Sequence, residues 1–168
     1  DRIFEFAGQA GLVVLIHNDV DMPFAGQGAT PVYLQQMRDL LLRHPETTVI
    51  WAHVGLGRVV HPVQSEASAP VAERPVNQVG IVDQILGNPA LRNLNFDISW
   101  SEVAKYIVAT PETTRRAADV INRYPDRFLF GTDWPVIDPE RAVREIDELN
   151  LRPESKRLMM RDNALRVF

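Results

Sequence analysis

Four short apolar runs alternate with amphipathic segments, and this alternation limits the folds that the chain can adopt. The runs are rich in β-branched and aromatic residues and cover Val13–Ile16, Val49–Ala52, Leu94–Ser99 and Phe128–Phe130. Apolar runs without polar alternation are typical of strands buried on both faces, as in parallel sheets. We therefore predict four parallel strands.

Helical segments separate and follow these runs. Each segment places apolar residues three or four positions apart, which is the spacing of one helix face. The predicted helices cover residues 31–43, 77–86, 111–123, 140–149 and 154–160. The opening residues 1–7 resemble the interior of a helix, so we expect the natural protein to begin upstream.

Strands that alternate with helices indicate an α/β fold, either an open doubly wound sheet or a (β/α) barrel of the TIM type. A doubly wound dinucleotide-binding sheet has a glycine-rich phosphate loop after its first strand, whereas His17, Asn18 and Asp19 stand there. The sequence therefore favours the barrel over a doubly wound binding domain. We expect one domain over residues 1–168, with a loop insertion at about 59–76, which is rich in Pro, Ala and Ser.

Composition excludes several classes of function. The formal net charge of -4 argues against a nucleic-acid partner, because phosphate binding needs clustered Lys and Arg. The absence of cysteine excludes disulfides, thiolate metal sites and cysteine nucleophiles. No apolar stretch is long enough to span a membrane and no signal peptide is visible, so we expect no membrane partner and favour the cytoplasm over export.

Polar side chains stand at or near the ends of all four predicted strands. They are His17, His53, Asp97 and Asp133. Active sites of parallel barrels are built at the C-terminal ends of the strands, and imidazole with carboxylate suits zinc or a similar divalent ion. Each residue also has a purely structural interpretation: a histidine held by hydrogen bonds, Asp133 in a turn, or Asp97 bonded to an Arg or a backbone amide.

Five segments of the chain, in order, read VVLIHND, VIWAHVGLGR, NLNFDISW, RFLFGTDWP and MRDNALRVF. Together they resemble the amidohydrolase-2 family of metal-dependent barrel enzymes. The resemblance covers nearly the whole chain outside the 59–76 insertion, and the FGTDWP and AHVGLGR segments are its most specific parts. It implies that this chain supplies about strands five to eight of the barrel.

The resemblance also implies roles for the strand-end residues. His17 corresponds to a metal-ligand histidine, and Asp133 to a carboxylate that binds the metal and transfers protons. His53 corresponds to a catalytic histidine that holds or activates the metal's water, whereas Asp97 matches no family ligand and would support the others. Zinc or another divalent ion is the implied cofactor.

Two further residues are candidates for binding a small-molecule substrate. Arg58 could hold a substrate carboxylate, although pairing with a loop acid explains it equally well. Trp134 could wall the pocket, as could Trp100, but core packing is the better explanation of each.

The resemblance implies a hydrolase that cleaves a small ester, lactone or amide with a metal-activated water. A metal-dependent decarboxylase of an unsaturated carboxylic acid is the first alternative, and a noncatalytic half-barrel fragment is the second. The family's first strand carries a His-x-His pair, which this chain lacks. We therefore expect either an N-terminal half that complements this chain or a homo-oligomer, because four barrel strands alone leave two open sheet edges.

Overall fold

The structure of the protein is a computed structural model in which residues 1–17, 32–55, 78–99 and 110–168 are described. Its strands are β1 (Val14–Ile16), β2 (Val49–Trp51), β3 (Leu94–Asp97) and β4 (Phe128–Leu129). Its α-helices are α1 (Arg2–Ala10), α2 (Val32–Arg43), α3 (Gln78–Leu86), α4 (Pro111–Arg123), α5 (Pro139–Asp147), α6 (Pro153–Arg157) and α7 (Asn163–Val167). The predicted insertion at 59–76 lies outside the described residues.

The four strands form one sheet in the order β1-β2-β3-β4, and every neighbouring pair is parallel. This confirms the predicted parallel arrangement. Strand order follows chain order without a reversal, whereas a doubly wound sheet reverses its order at a switch point. The sheet is therefore that of a barrel-type β/α protein, and the doubly wound alternative is wrong.

Aromatic side chains align across the sheet because the strand register places them side by side. Trp51 pairs with Phe96, and Phe96 pairs with Phe128. Ring centroids lie 6.1 Å apart for each neighbouring pair, and all three rings are buried among the apolar side chains of the helices. This row of rings forms the core directly beneath the strand ends that carry the polar residues.

Buried polar side chains hold the opposite, N-terminal end of the sheet. The Arg127 guanidinium donates through Nε to the Leu94 carbonyl at 2.8 Å and through Nη2 to the Leu91 carbonyl at 2.8 Å. Burial lowers the pKa of Arg127 from its ordinary value, with Asp126 opposing that effect. These bonds give a partner to the buried carbonyls of Leu91 and Leu94, which lie just before and at the start of β3.

The chain after α6 covers the outer edge of β4. Residues Leu158–Asp162 form a π-helical turn within a segment that was predicted to be one regular helix, 154–160. A π turn leaves its carbonyls outside the usual α-helical ladder, and the Met159 carbonyl accepts a hydrogen bond from the Phe130 amide at 3.0 Å. Asn163 Nδ2 donates to the Phe128 carbonyl at 2.8 Å.

These two bonds lie on the side of β4 that faces away from β3. The carbonyls of Arg127 and Leu129 accept from β3, and successive residues of a strand point to alternate edges. The backbone N–H and C=O groups of Phe128 and Phe130 therefore point to the outer edge of β4. The expectation of two open edges is wrong for β4, because the C-terminal helices bond to it.

Within the described residues, β1 is the last strand on the other side of the sheet, and Leu15 at its centre is 64% exposed. We expect the isolated 168-residue chain to associate through this edge at micromolar concentration. Leu15→Lys should shift it toward a monomer in light scattering, because a charge on an edge strand opposes pairing. Leu165→Lys is the matched control, since Leu165 is 66% exposed on α7. Equal effects of both changes would contradict an interface at β1.

No helix of the described part of the chain is long and apolar enough to cross a membrane.

Candidate active site

The polar residues predicted at the strand ends lie at or after the C-terminal ends of parallel strands, so they belong to the same end of the sheet. His17 follows β1 directly, His53 follows β2 after one residue, and Asp97 is the last residue of β3. Asp133 comes four residues after Leu129, the last residue of β4. The C-terminal ends of parallel strands share one face, which is where barrel proteins bind their ligands.

The structure brings His17 and His53 into contact. Their ring centroids lie 4.8 Å apart and the ring planes meet at 87°, so the edge of one ring faces the plane of the other. His53 is buried, whereas His17 is exposed. Two imidazoles on neighbouring strands thus form a pair that is open to solvent on the His17 side.

Asp97 anchors the backbone around His53. Its Oδ1 atom accepts hydrogen bonds from the His53 amide at 3.1 Å and from the Ser99 amide at 2.9 Å. The Ser99 hydroxyl also donates to the same oxygen. The structural interpretation of Asp97, a carboxylate bonded to backbone amides, is therefore confirmed.

The turn that carries His53 has an unusual backbone. His53, Val54 and Gly55 have φ angles of 56°, 56° and 71°, all in the left-handed region. A β-branched residue such as Val54 rarely adopts this conformation. A side chain at Gly55 would place its Cβ 3.0 Å from the Trp51 ring, so the buried ring would have to shift to admit one. Backbone strain of this kind clusters at functional sites.

Asp133 also has a left-handed backbone, with a φ of 54°, and is exposed. Its carbonyl accepts a hydrogen bond from the Val136 amide at 2.8 Å, which closes a turn. Trp134 is 72% exposed, so the expectation that its indole packs in the core is wrong. Asp133 and Trp134 therefore both present their side chains toward solvent after β4.

The described residues contain no group of three or more His, Asp or Glu side chains placed to hold one metal ion. His17, His53 and Asp133 are all described, and the structure brings the two histidines together without grouping Asp133 with them as one metal site. The metal-binding and catalytic roles of these residues stay predictions. Arg58 and Trp100 lie outside the described residues, so their predicted contacts with a substrate stay predictions as well.

The interpretation of the sequence did not single out Ser99, which is buried between His53 and Asp97. A serine near the end of a strand is common, and nothing local marks this one.

These features define a class: a β/α protein with a sequentially ordered parallel sheet and a strained, histidine-bearing site at the strand ends. The sequence model described as Amidohydrolase matches residues 1–168. The chain belongs to this amidohydrolase-2 family, as its motifs predicted. Which barrel strands it supplies stays a prediction.

Solved structures with the same fold agree with this class. An uncharacterised TIM-barrel protein from Bordetella bronchiseptica aligns over 99% of this chain and 48% of its own, with 16% identity and a TM-score of 0.63. A zinc-bound amidohydrolase from Burkholderia multivorans aligns over 99% and 55%, with 14% identity and a TM-score of 0.64. A dihydroxybenzoic acid decarboxylase from a Polaromonas species, with bound manganese, aligns over 99% and 52%, with 18% identity and a TM-score of 0.57.

The chain thus spans about half the length of the solved structures that it matches. At these identities the likeness shows the fold, which is that of a TIM barrel. No curated protein sequence gives a significant match.

Proposed function

We propose that this chain carries the histidine side of the active site of a divalent-metal-dependent hydrolase that acts on a small-molecule ester, lactone or amide. The observation that carries the proposal is the contact of His17 with His53 at the C-terminal ends of neighbouring parallel strands. Membership of the amidohydrolase-2 family supports the same chemistry.

The donor set suits a divalent ion, since imidazole and carboxylate are ordinary ligands of zinc and manganese. His17 and Asp133 would hold the ion. A complete site also needs ligands from outside the described residues, because the described part alone offers no group of three. When bound, such an ion polarises a carbonyl and lowers the pKa of its water toward neutrality.

The residues of this chain would divide the remaining work. His53 or Asp133 would take a proton from the attacking water and return it to the leaving group. Arg58 would pair with a substrate carboxylate, and the exposed indole of Trp134 would cover an apolar part of the substrate. The left-handed turn after β2 would keep His53 in place during the reaction.

Decarboxylation is the second candidate, because a similar fold occurs in the manganese-bound dihydroxybenzoic acid decarboxylase. The same residues would then hold an unsaturated acid and deliver a proton to the carbon that loses carbon dioxide. A noncatalytic half barrel is the remaining alternative.

One experiment separates these functions. The protein as it occurs in cells would be purified, analysed for bound metals, and incubated with panels of lactones, esters and amides and of hydroxybenzoic acids. We expect about one divalent ion per site and loss of turnover after chelation. Acid release from the first panel supports the hydrolase, and carbon dioxide from the second supports the decarboxylase. Absence of both metal and turnover would leave only the noncatalytic half barrel.

A further inference from the structure

We propose that Ser99 is a positioning residue that holds His53 in the tautomer with its proton on Nδ1. The two residues are 46 positions apart in the chain, and the pairing of β2 with β3 brings them together. His53 Nδ1 lies 2.9 Å from Ser99 Oγ and 3.3 Å from the Ser99 carbonyl oxygen. Both atoms of one residue thus face the same ring nitrogen.

The carbonyl contact decides the direction of the hydrogen bond. A carbonyl oxygen only accepts, so a nitrogen that bonds to it must carry the hydrogen. If Nδ1 lacked a proton, its lone pair would face the lone pairs of the Ser99 carbonyl in a buried place. The geometry therefore favours a proton on Nδ1.

The hydroxyl contact leads independently to the same tautomer. The Ser99 hydroxyl has one hydrogen, and Asp97 Oδ1 is its acceptor. That oxygen also accepts from the amides of His53 and Ser99, so three donors converge on it and it acts only as an acceptor. With its hydrogen used, Ser99 Oγ can only accept from His53 Nδ1.

Close packing from the neighbouring strand confines this network. A Cβ added at Gly131, just after β4, would lie 3.0 Å from Ser99 Cβ and 3.8 Å from Asp97 Cγ. A side chain at position 131 would therefore press on Ser99, which is itself only 6% exposed.

The consequence for His53 is that a neutral ring carries its lone pair on Nε2. That nitrogen is then the one able to accept a proton or bind a metal ion, a role that rests on the proposed function. Asp97 acts through Ser99 and the backbone, and neither residue needs to touch the substrate. The positioning of the ring itself does not depend on which reaction the protein catalyses.

The test is the ring ¹⁵N spectrum of the metal-free protein, recorded by long-range ¹H–¹⁵N correlation at about pH 8.5, where an ordinary imidazole is neutral. The chain has four histidines, and the signal that disappears in His53→Gln is that of His53. We expect a protonated Nδ1 and an unprotonated Nε2. Free neutral histidine prefers the opposite tautomer, so a protonated Nε2 in the wild-type protein would overturn the proposal without any variant.

Variants then assign the effect to the hydroxyl. Ser99→Ala removes the shorter contact, at 2.9 Å, and leaves the weaker one with the carbonyl at 3.3 Å, so it should shift the His53 signals part of the way toward a mixture of tautomers. Ser99→Thr, which keeps a hydroxyl, should leave them as in the wild-type protein. An unchanged spectrum in a folded Ser99→Ala protein would show that the hydroxyl does not set the tautomer. If Ser99→Ala does not fold, the wild-type and Ser99→Thr spectra still decide the question.

Turnover gives a second measurement on the metal-loaded protein. Ser99→Ala should lower kcat about 10- to 100-fold with little change in KM, as is typical for partners that orient a metal-site histidine. If the spectrum shows the expected tautomer but the protein neither binds a metal nor turns over a substrate, only the proposed function is contradicted. If the protein binds a metal and turns over a substrate but the spectrum shows the opposite tautomer, only the role of Ser99 is contradicted.

Discussion

His17→Ala and Asp133→Ala should each lower the affinity of the protein for its divalent ion by more than about 100-fold. Changing a residue that only orients a ligand typically lowers affinity 10- to 100-fold, and removing a ligand itself should lower it further. Both residues follow strands of the same sheet, so each variant removes a donor from the proposed site without disturbing the buried core. Elemental analysis and titration of the chelated protein measure the change.

Matched controls are available for both substitutions. His44→Ala removes a histidine that lies before β2, where its ring contacts Phe4 and Asp1. Asp119→Ala removes an exposed carboxylate from α4. Neither change should alter metal content. Unchanged stoichiometry and affinity in both His17→Ala and Asp133→Ala would refute their assignment as ligands.

Trp51→Ala should lower the free energy of unfolding by about 3–5 kcal/mol, the usual range for removing a large aromatic side chain from a core. Trp51 is 1% exposed, stacks on Phe96, and packs so close to Gly55 that a Cβ there would lie 3.0 Å from its ring. Its loss would therefore leave a cavity directly beneath the turn that carries His53. Urea or thermal denaturation followed by circular dichroism measures the effect.

Trp134→Ala is the matched control for stability. Trp134 is 72% exposed, so its removal should change the free energy of unfolding by no more than about 0.5 kcal/mol. If Trp134 contacts the substrate as proposed, the same variant should raise KM. Similar losses of stability in both tryptophan variants would contradict the burial described for Trp51.

The sequence predicted the sheet well because most residues of β2, β3 and β4 are buried on both faces of the sheet. Continuous apolar runs such as Val49–Trp51 identify such strands without any tertiary information. The helix Pro111–Arg123 was predicted with its observed bounds from its early proline and its apolar spacing, and in the structure Thr110 also caps it. The strand-end positions of His17 and His53 were then enough to predict that the two residues share one face.

Other features depend on contacts between distant residues and had no local signal. The π turn at Leu158–Asp162 resembles an ordinary helix in its apolar spacing, and the bond from the Phe130 amide to Met159 is made across the fold. Val54 favours an extended backbone by itself, so its left-handed conformation could not be predicted from residue type. The role of Ser99 likewise depends on the register of β2 and β3.

The covered edge of β4 has a consequence for the symmetry of any assembly of this chain. If both edges of the sheet were open, β1 of one copy could pair with β4 of the next, and such head-to-tail contacts can extend into filaments. Asn163 donates to β4 and the Met159 carbonyl accepts from the Phe130 amide, so one of the two strand edges that filament growth needs is covered. Among the strands that the structure describes, β1 then has the edge left for pairing. If β1 paired with β1 of a second copy about a two-fold axis, that assembly would close at two subunits.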